Sequence, residues 1–147
     1  MRILPSLFLG LALITSQAAM ANPVTNQLGE CLKSNTNGKD RTDLARWIFI
    51  SMSAHPEMSK LTTITPAIRT EADRGMAQLV TRLLIDNCAE QSRAVMQAEG
   101  GQGMLSAFRS LGEVAMMELM SNAEVSATIS GYTKFLDQGK FEALLRK

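Results

Sequence analysis

The sequence predicts an all-α fold, a compact bundle of four main helices with short helical pieces at its ends and one disulfide. Three observations carry that expectation. Apolar residues recur at spacings of three and four, and no segment alternates with period two between turn signals. Helix starters such as Thr65-Pro66 and breakers such as Asn37-Gly38 and His55-Pro56 cut the chain into helical lengths. The composition, 46% hydrophobic and 20% charged, suits one soluble domain with a real core.

The amino-terminal segment stands apart from that domain. Met1-Arg2 begins with a positive charge, Ile3 to Ile14 is apolar, and Ala19-Met20-Ala21 offers the small-x-small pattern of signal-peptidase cleavage. The apolar run is shorter than the ~20 residues of a bilayer-spanning helix. Residues 1–21 are therefore expected to be a cleavable signal peptide, and residues 22–147 a single helical domain exported to the periplasm. That domain is not expected to span a membrane. Without Arg2, the 15 basic residues match the 14 acidic ones. A neutral domain lacks the basic surface that nucleic-acid binding requires, so no nucleic-acid partner is expected.

The first helix is expected over Thr25 to Lys33, with Leu28, Cys31 and Leu32 on one face. The Asn-Gly turn breaks it, and Asp40 reads as the N-cap of the next helix, which runs to Met52. From Arg46 onward that helix is apolar on nearly every side, which predicts burial at the centre of the bundle. A third helix starts at Pro66, with Ile68, Ala72, Met76, Leu79 and Leu83 in one stripe, and either continues to Glu99 or kinks near Asn87. Gly100-Gly101-Gln102-Gly103 reads as a hinge or loop. A helix with Met104, Phe108, Leu111, Ala115 and Leu119 follows. Ser121 with Glu124 then matches a capping box for a further helix ending at Gly139, and Phe141, Leu144 and Leu145 form a short amphipathic turn.

Cys31 and Cys88, 57 positions apart, read as one disulfide in an oxidising compartment. A redox pair favours Cys-x-x-Cys spacing, and a zinc site needs two ligands beyond them where only His55 is on offer. No metal or cofactor is expected. Gly38-Lys39 lacks the second glycine and the following Ser or Thr of a phosphate loop. His55 is the one histidine and the one candidate catalytic residue. Ser51 and Ser53 lie near it, but with no motif around it His55 reads first as a C-capping side chain bonded to a backbone carbonyl. Carboxylates one turn apart, Asp40 with Asp43 and Asp86 with Glu90, lie close to arginines and read as members of exposed ion pairs.

Two features point to binding instead. Lys39, Asp40, Arg41, Arg46 and Trp47 form the densest polar cluster around the only tryptophan, and Trp and Arg are enriched at interface hot spots. In the structural reading, Asp40 caps, Arg46 pairs with Asp43 or Asp40, and Trp47 is core. Met116, Met117 and Met120 overfill one stripe beside Leu119, so at least one lies off the core face. They read as core filling or as a soft apolar groove. The expected function is an exported protein-binding module, such as an inhibitor, immunity or accessory protein, with an unidentified periplasmic protein as partner. The format of signal peptide, helices and one disulfide resembles that of small periplasmic immunity proteins, with no motif behind the likeness. The alternatives are a carrier or sensor of an apolar small molecule held between helices, and a hydrolase using His55. A homodimer is compatible with each.

Overall fold

The computed structural model describes residues 22–146, so the expected signal peptide lies outside the described residues. Eight α-helices and no strand make up the described chain. They are α1 (Pro23–Ser34), α2 (Gly38–Met52), α3 (Pro56–Ser59), α4 (Pro66–Thr81), α5 (Ala89–Ala98), α6 (Gly100–Met120), α7 (Ala123–Ser130) and α8 (Gln138–Leu145). A π-helical segment over Arg82–Asn87 joins α4 to α5, and a 3-10 segment over Gly131–Phe135 follows α7. The all-α expectation holds.

The core is where α1, α2, α6 and the α4–α5 pair converge. Leu28 and Leu32 of α1, Leu44 of α2, Leu79 and Leu83, Cys88, Val95, and Ala107, Leu111 and Ala115 of α6 form one buried cluster. Leu28 and Leu32, Leu79 and Leu83, and Ala107, Leu111 and Ala115 are each four apart, which is how a 3.6-residue repeat presents one stripe to its neighbours. α2 is less buried than its run of apolar residues predicts. Only Leu44, Ala45 and Ile50 are buried, while Phe49 and Met52 face water. The bundle covers one side of α2, so the apolar residues opposite have no helix to meet.

Boundaries moved for local chemical reasons. Asn22 caps α1, with its side chain accepting from the Val24 N–H, and Pro23 occupies the first turn, where a missing N–H costs nothing. Asn37, not Asp40, is the N-cap of α2. Its side chain accepts from the Asp40 N–H and the Asp40 carboxylate accepts from the Asn37 N–H, a reciprocal capping box. Likewise Asn122 rather than Ser121 caps α7, because its carboxamide reaches two amides, those of Glu124 and Val125, while the Ser121 hydroxyl donates back to Glu118. Gly139 lies inside α8, which Asp137 caps.

Of the two alternatives for residues 66–99, the break near Asn87 is the one found: a π-helical segment over Arg82–Asn87 separates α4 from α5. The Cys88 N–H donates to the Leu83 carbonyl at 2.8 Å, a five-residue closure that inserts one extra residue into the turn. Leu83 and Cys88 both end fully buried, and Cys88 meets Cys31 in the expected disulfide. The glycine run at 100–103 is not a loop. Gly100 alone takes a left-handed conformation, φ +58°, and turns the chain from α5 into α6. Gly103 is buried in the first turns of α6, where Val95, Glu99 and Thr25 crowd its Cα.

Candidate functional site

The α1–α2 connection is fixed from two sides. Arg82, in the π segment, sends Nη1 to the Asn35 carbonyl at 3.2 Å and Nη2 to Asp40 Oδ1 at 2.8 Å. Arg41 sends Nη2 to the Thr36 carbonyl and pairs across the bundle with Glu118 of α6 at 3.5 Å. Asp40 thus has two duties, capping α2 and holding Arg82. Replacing it by Ala removes both and is expected to cost about 1–2 kcal/mol, read as a lower urea midpoint at unchanged slope. An unchanged midpoint would mean the Arg82 clamp contributes nothing to stability.

Beside this clamp, α2 and α4 enclose an open cleft of about 920 Å³. Lys39, Asp40, Asp43 and Arg46 line it from α2, and Glu71, Arg74 and Gln78 from α4, with Arg82 at one end. Leu44, Met76 and Leu79 supply apolar wall. Lys39 pairs with Asp43 along α2, and Asp40 with Arg82. Arg46 pairs with neither Asp43 nor Asp40, contrary to expectation, because Lys39 and Arg82 already hold those carboxylates. Arg46 and Arg74 form no ion pair among the described residues. Two guanidinium groups, each with five donors, therefore line one cleft without a carboxylate partner.

Trp47 is half-buried, not a core residue. Its ring packs against the edge of the core, and its indole N–H donates to Asp73 Oδ1 of α4 at 2.9 Å. That bond ties α2 to α4 and fixes the ring. Of the expected residues, Lys39, Asp40 and Arg46 line the cleft and Trp47 does not; sequence reasoning missed the α4 side. Arg74, Gln78 and Arg82 recur every four residues there, a polar stripe legible in the sequence but overshadowed by the apolar one.

The remaining expected site residues lie elsewhere. Arg41 turns towards α6 and does not line the cleft. Met116, Met117 and Met120 are all exposed, and none lines the α2–α4 cleft. Core filling is the wrong reading for them: Gly103, Ala107, Leu111 and Ala115 take the buried stripe of α6 and leave these three outside it. A second open cleft, about 730 Å³, lies between α6 and α7 and is lined by Thr42, Glu118, Leu119, Asn122, Val125 and Ile129 among others.

His55 does not cap α2. Pro56 nucleates the short helix α3, and His55 becomes the N-cap of α3, its Nδ1 accepting from the Glu57 N–H at 3.2 Å. Near the end of α2, the Ile50 carbonyl accepts from the Ser53 hydroxyl and from Arg69. Among the described residues no hydrogen bond joins His55 to Ser51 or Ser53, and no group of three or more His, Cys, Asp or Glu is placed to hold a metal ion. No helix among them is long and apolar enough to cross a membrane. Comparison with protein-family models, with characterised proteins and with solved structures gives no match for this chain.

Proposed function

We propose that this chain is a helical protein-binding module of the inhibitor, immunity or accessory kind, exported to the periplasm, that docks a partner protein on the α2–α4 cleft. The observation that carries the proposal is the pair of unpartnered arginines, Arg46 and Arg74, lining one cleft, while Trp47, outside the cleft lining, is anchored to Asp73 between the same two helices. A carboxylate on the partner would gain charge-assisted, bidentate hydrogen bonds from either guanidinium. Trp47, fixed by Asp73, loses little side-chain entropy on binding, and preorganised aromatics of this kind make strong interface anchors.

The cleft suits the alternative, an apolar carrier, poorly. Charged side chains from both helices line it, whereas small-molecule sites are mostly apolar with a few polar groups. A hydrolase using His55 would need a nucleophile hydrogen-bonded to the imidazole, and the ring's Nδ1 is engaged with the backbone of α3.

The test is capture from a periplasmic extract with the tagged native chain and two variants. The native chain is expected to retain a protein in stoichiometric amount. Arg46→Ala and Trp47→Ala should each weaken capture by about tenfold or more, the loss typical of a hot-spot truncation. Equal capture by all three forms, or retention of a lipid or metabolite instead of a protein, would sink the proposal.

A further inference from the structure

The disulfide lies against the residues that hold the end of the α2–α4 cleft. Asn35, which closes α1, follows Cys31 by one helical turn. Its side-chain amide donates to the Cys31 carbonyl at 2.9 Å and stands 3.6 Å from Cys31 Sγ and 3.9 Å from Cys88 Sγ, touching both sulfurs. Its backbone carbonyl accepts from Arg82 Nη1. Asn87, the residue before Cys88, offers its side-chain oxygen to the same Nη1 at 3.4 Å. The Arg82 guanidinium therefore rests on two residues that flank the disulfide, one from each side of the bond. Its other nitrogen, Nη2, holds Asp40 of the α2 capping box, and the side chain lines one end of the cleft.

We propose that the Cys31–Cys88 bond is a redox switch for the α2–α4 cleft. With the bond intact, Asn35 and Asn87 hold Arg82 on Asp40. Reduction by a dithiol separates the end of α1 from the π segment, and Arg82 lets go. The long hydrogen bonds of a partly exposed arginine are weak alone and persist only while their acceptors stay in place. Cys88 is fully buried and Cys31 half-buried, so a dithiol thiolate attacks Cys31 Sγ and expels the Cys88 thiolate, leaving a mixed disulfide. The second thiol displaces Cys31. The dithiol ends as a cyclic disulfide, and its two electrons and two protons end on the two cysteines. For binding, the switch rests on the docking role of the cleft. An Asp40 released from Arg82 is a free negative charge on the cleft wall, and it repels the carboxylate that Arg46 and Arg74 are placed to receive.

Amide exchange of the free chain, followed by NMR with and without dithiothreitol well below the melting temperature, tests the link without a partner. The Asn37, Asp40 and Arg41 amides are hydrogen-bonded across the first turn of α2. On reduction, with circular dichroism showing an intact bundle, they are expected to exchange about tenfold faster, the worth of one hydrogen bond to a charged group. Arg82→Gln with the disulfide intact should reproduce that increase, and reducing this variant should add nothing further at these three amides. A plain staple would speed only the slow core amides, which exchange through whole-chain unfolding. Unchanged exchange at residues 37, 40 and 41 would therefore overturn the switch. So would complete unfolding on reduction, or additive effects of Arg82→Gln and reduction. Capture from periplasmic extract reads the consequence, using Cys31→Ala/Cys88→Ala so that disulfides of the partner are spared. This variant and Arg82→Gln should both retain the partner several-fold less, and full capture by both would overturn control of binding. A native chain that captures nothing contradicts the docking role alone, and the exchange data still decide the switch.

Discussion

Reducing the Cys31–Cys88 disulfide is expected to lower the melting temperature by roughly 10–20 °C. The bond spans 57 positions, and closing a loop of that length removes about 4 kcal/mol of chain entropy from the unfolded state. It also joins α1 to the junction of the π segment and α5, so its loss frees the α1 stripe of Leu28 and Leu32 from the element opposite. Cys88 is fully buried and Cys31 half-buried, so a double replacement by Ala leaves a small void in addition to losing the cross-link. Thermal unfolding followed by circular dichroism, with and without reductant and for the Cys31→Ala/Cys88→Ala variant, checks both contributions. A melting temperature unmoved by reduction would show that packing alone holds α1 in place.

Two glycines of α6 should respond in opposite directions to the same change. A Cβ at Gly103 would stand 2.6 Å from Val95 Cγ1, 2.8 Å from Glu99 Cβ and 3.0 Å from Thr25 Oγ1. Neither Val95, which is fully buried, nor the Glu99 Cβ next to the backbone can retreat without moving α5. Thr25 donates to Glu99 Oε1 at 2.7 Å, so the intrusion also disturbs a bond between α1 and the α5–α6 turn. Gly103→Ala is therefore expected to cost about 2 kcal/mol or more, overpacking outweighing the helix-propensity gain of about 1 kcal/mol. At Gly112, also inside α6, a Cβ meets nothing within 4 Å, and Gly112→Ala should stabilise by about 0.5–1 kcal/mol. Urea unfolding of the two single variants separates them by sign. Stabilisation in both would mean that α5 and α6 are free to move apart.

The contrast at Gly103 also shows what the sequence could not convey. Four residues with three glycines read as a loop because glycine is the poorest helix former after proline. Close approach of three elements overrides that cost when only a hydrogen atom fits. The caps slipped because Asp40 and Ser121 have the right chemistry, but Asn37 and Asn122 sit where the chain enters the helix and take the role. The stripes were legible, since Leu28, Leu32, Leu79, Leu83, Leu111 and Ala115 fall where a 3.6-residue period puts them. The break at Arg82–Asn87 was half legible, because no proline or glycine marks it and only the need to bring Cys88 to Cys31 accounts for its position.

Of the candidate site, the α2 half was readable as a dense cluster of charges around one tryptophan. The α4 half was not, because pairing Trp47 with Asp73 and Asp40 with Arg82 depends on how two helices separated by the α3 segment come to lie side by side. The same tertiary choice leaves Arg46 without a carboxylate. Sequence spacing assigned it Asp43 or Asp40, and the fold gives those to Lys39 and Arg82. Local pairing rules predict which ion pairs can form along a helix but not which partners a neighbouring helix takes away.

Amide hydrogen exchange of the chain, free and with its captured partner bound, tests the central claim most directly. Docking on the α2–α4 cleft predicts slowed exchange in residues 38–47 and 66–82, with α3 around His55 unchanged. Protection confined to other segments, or none on binding, would contradict the assignment of the cleft as the recognition site.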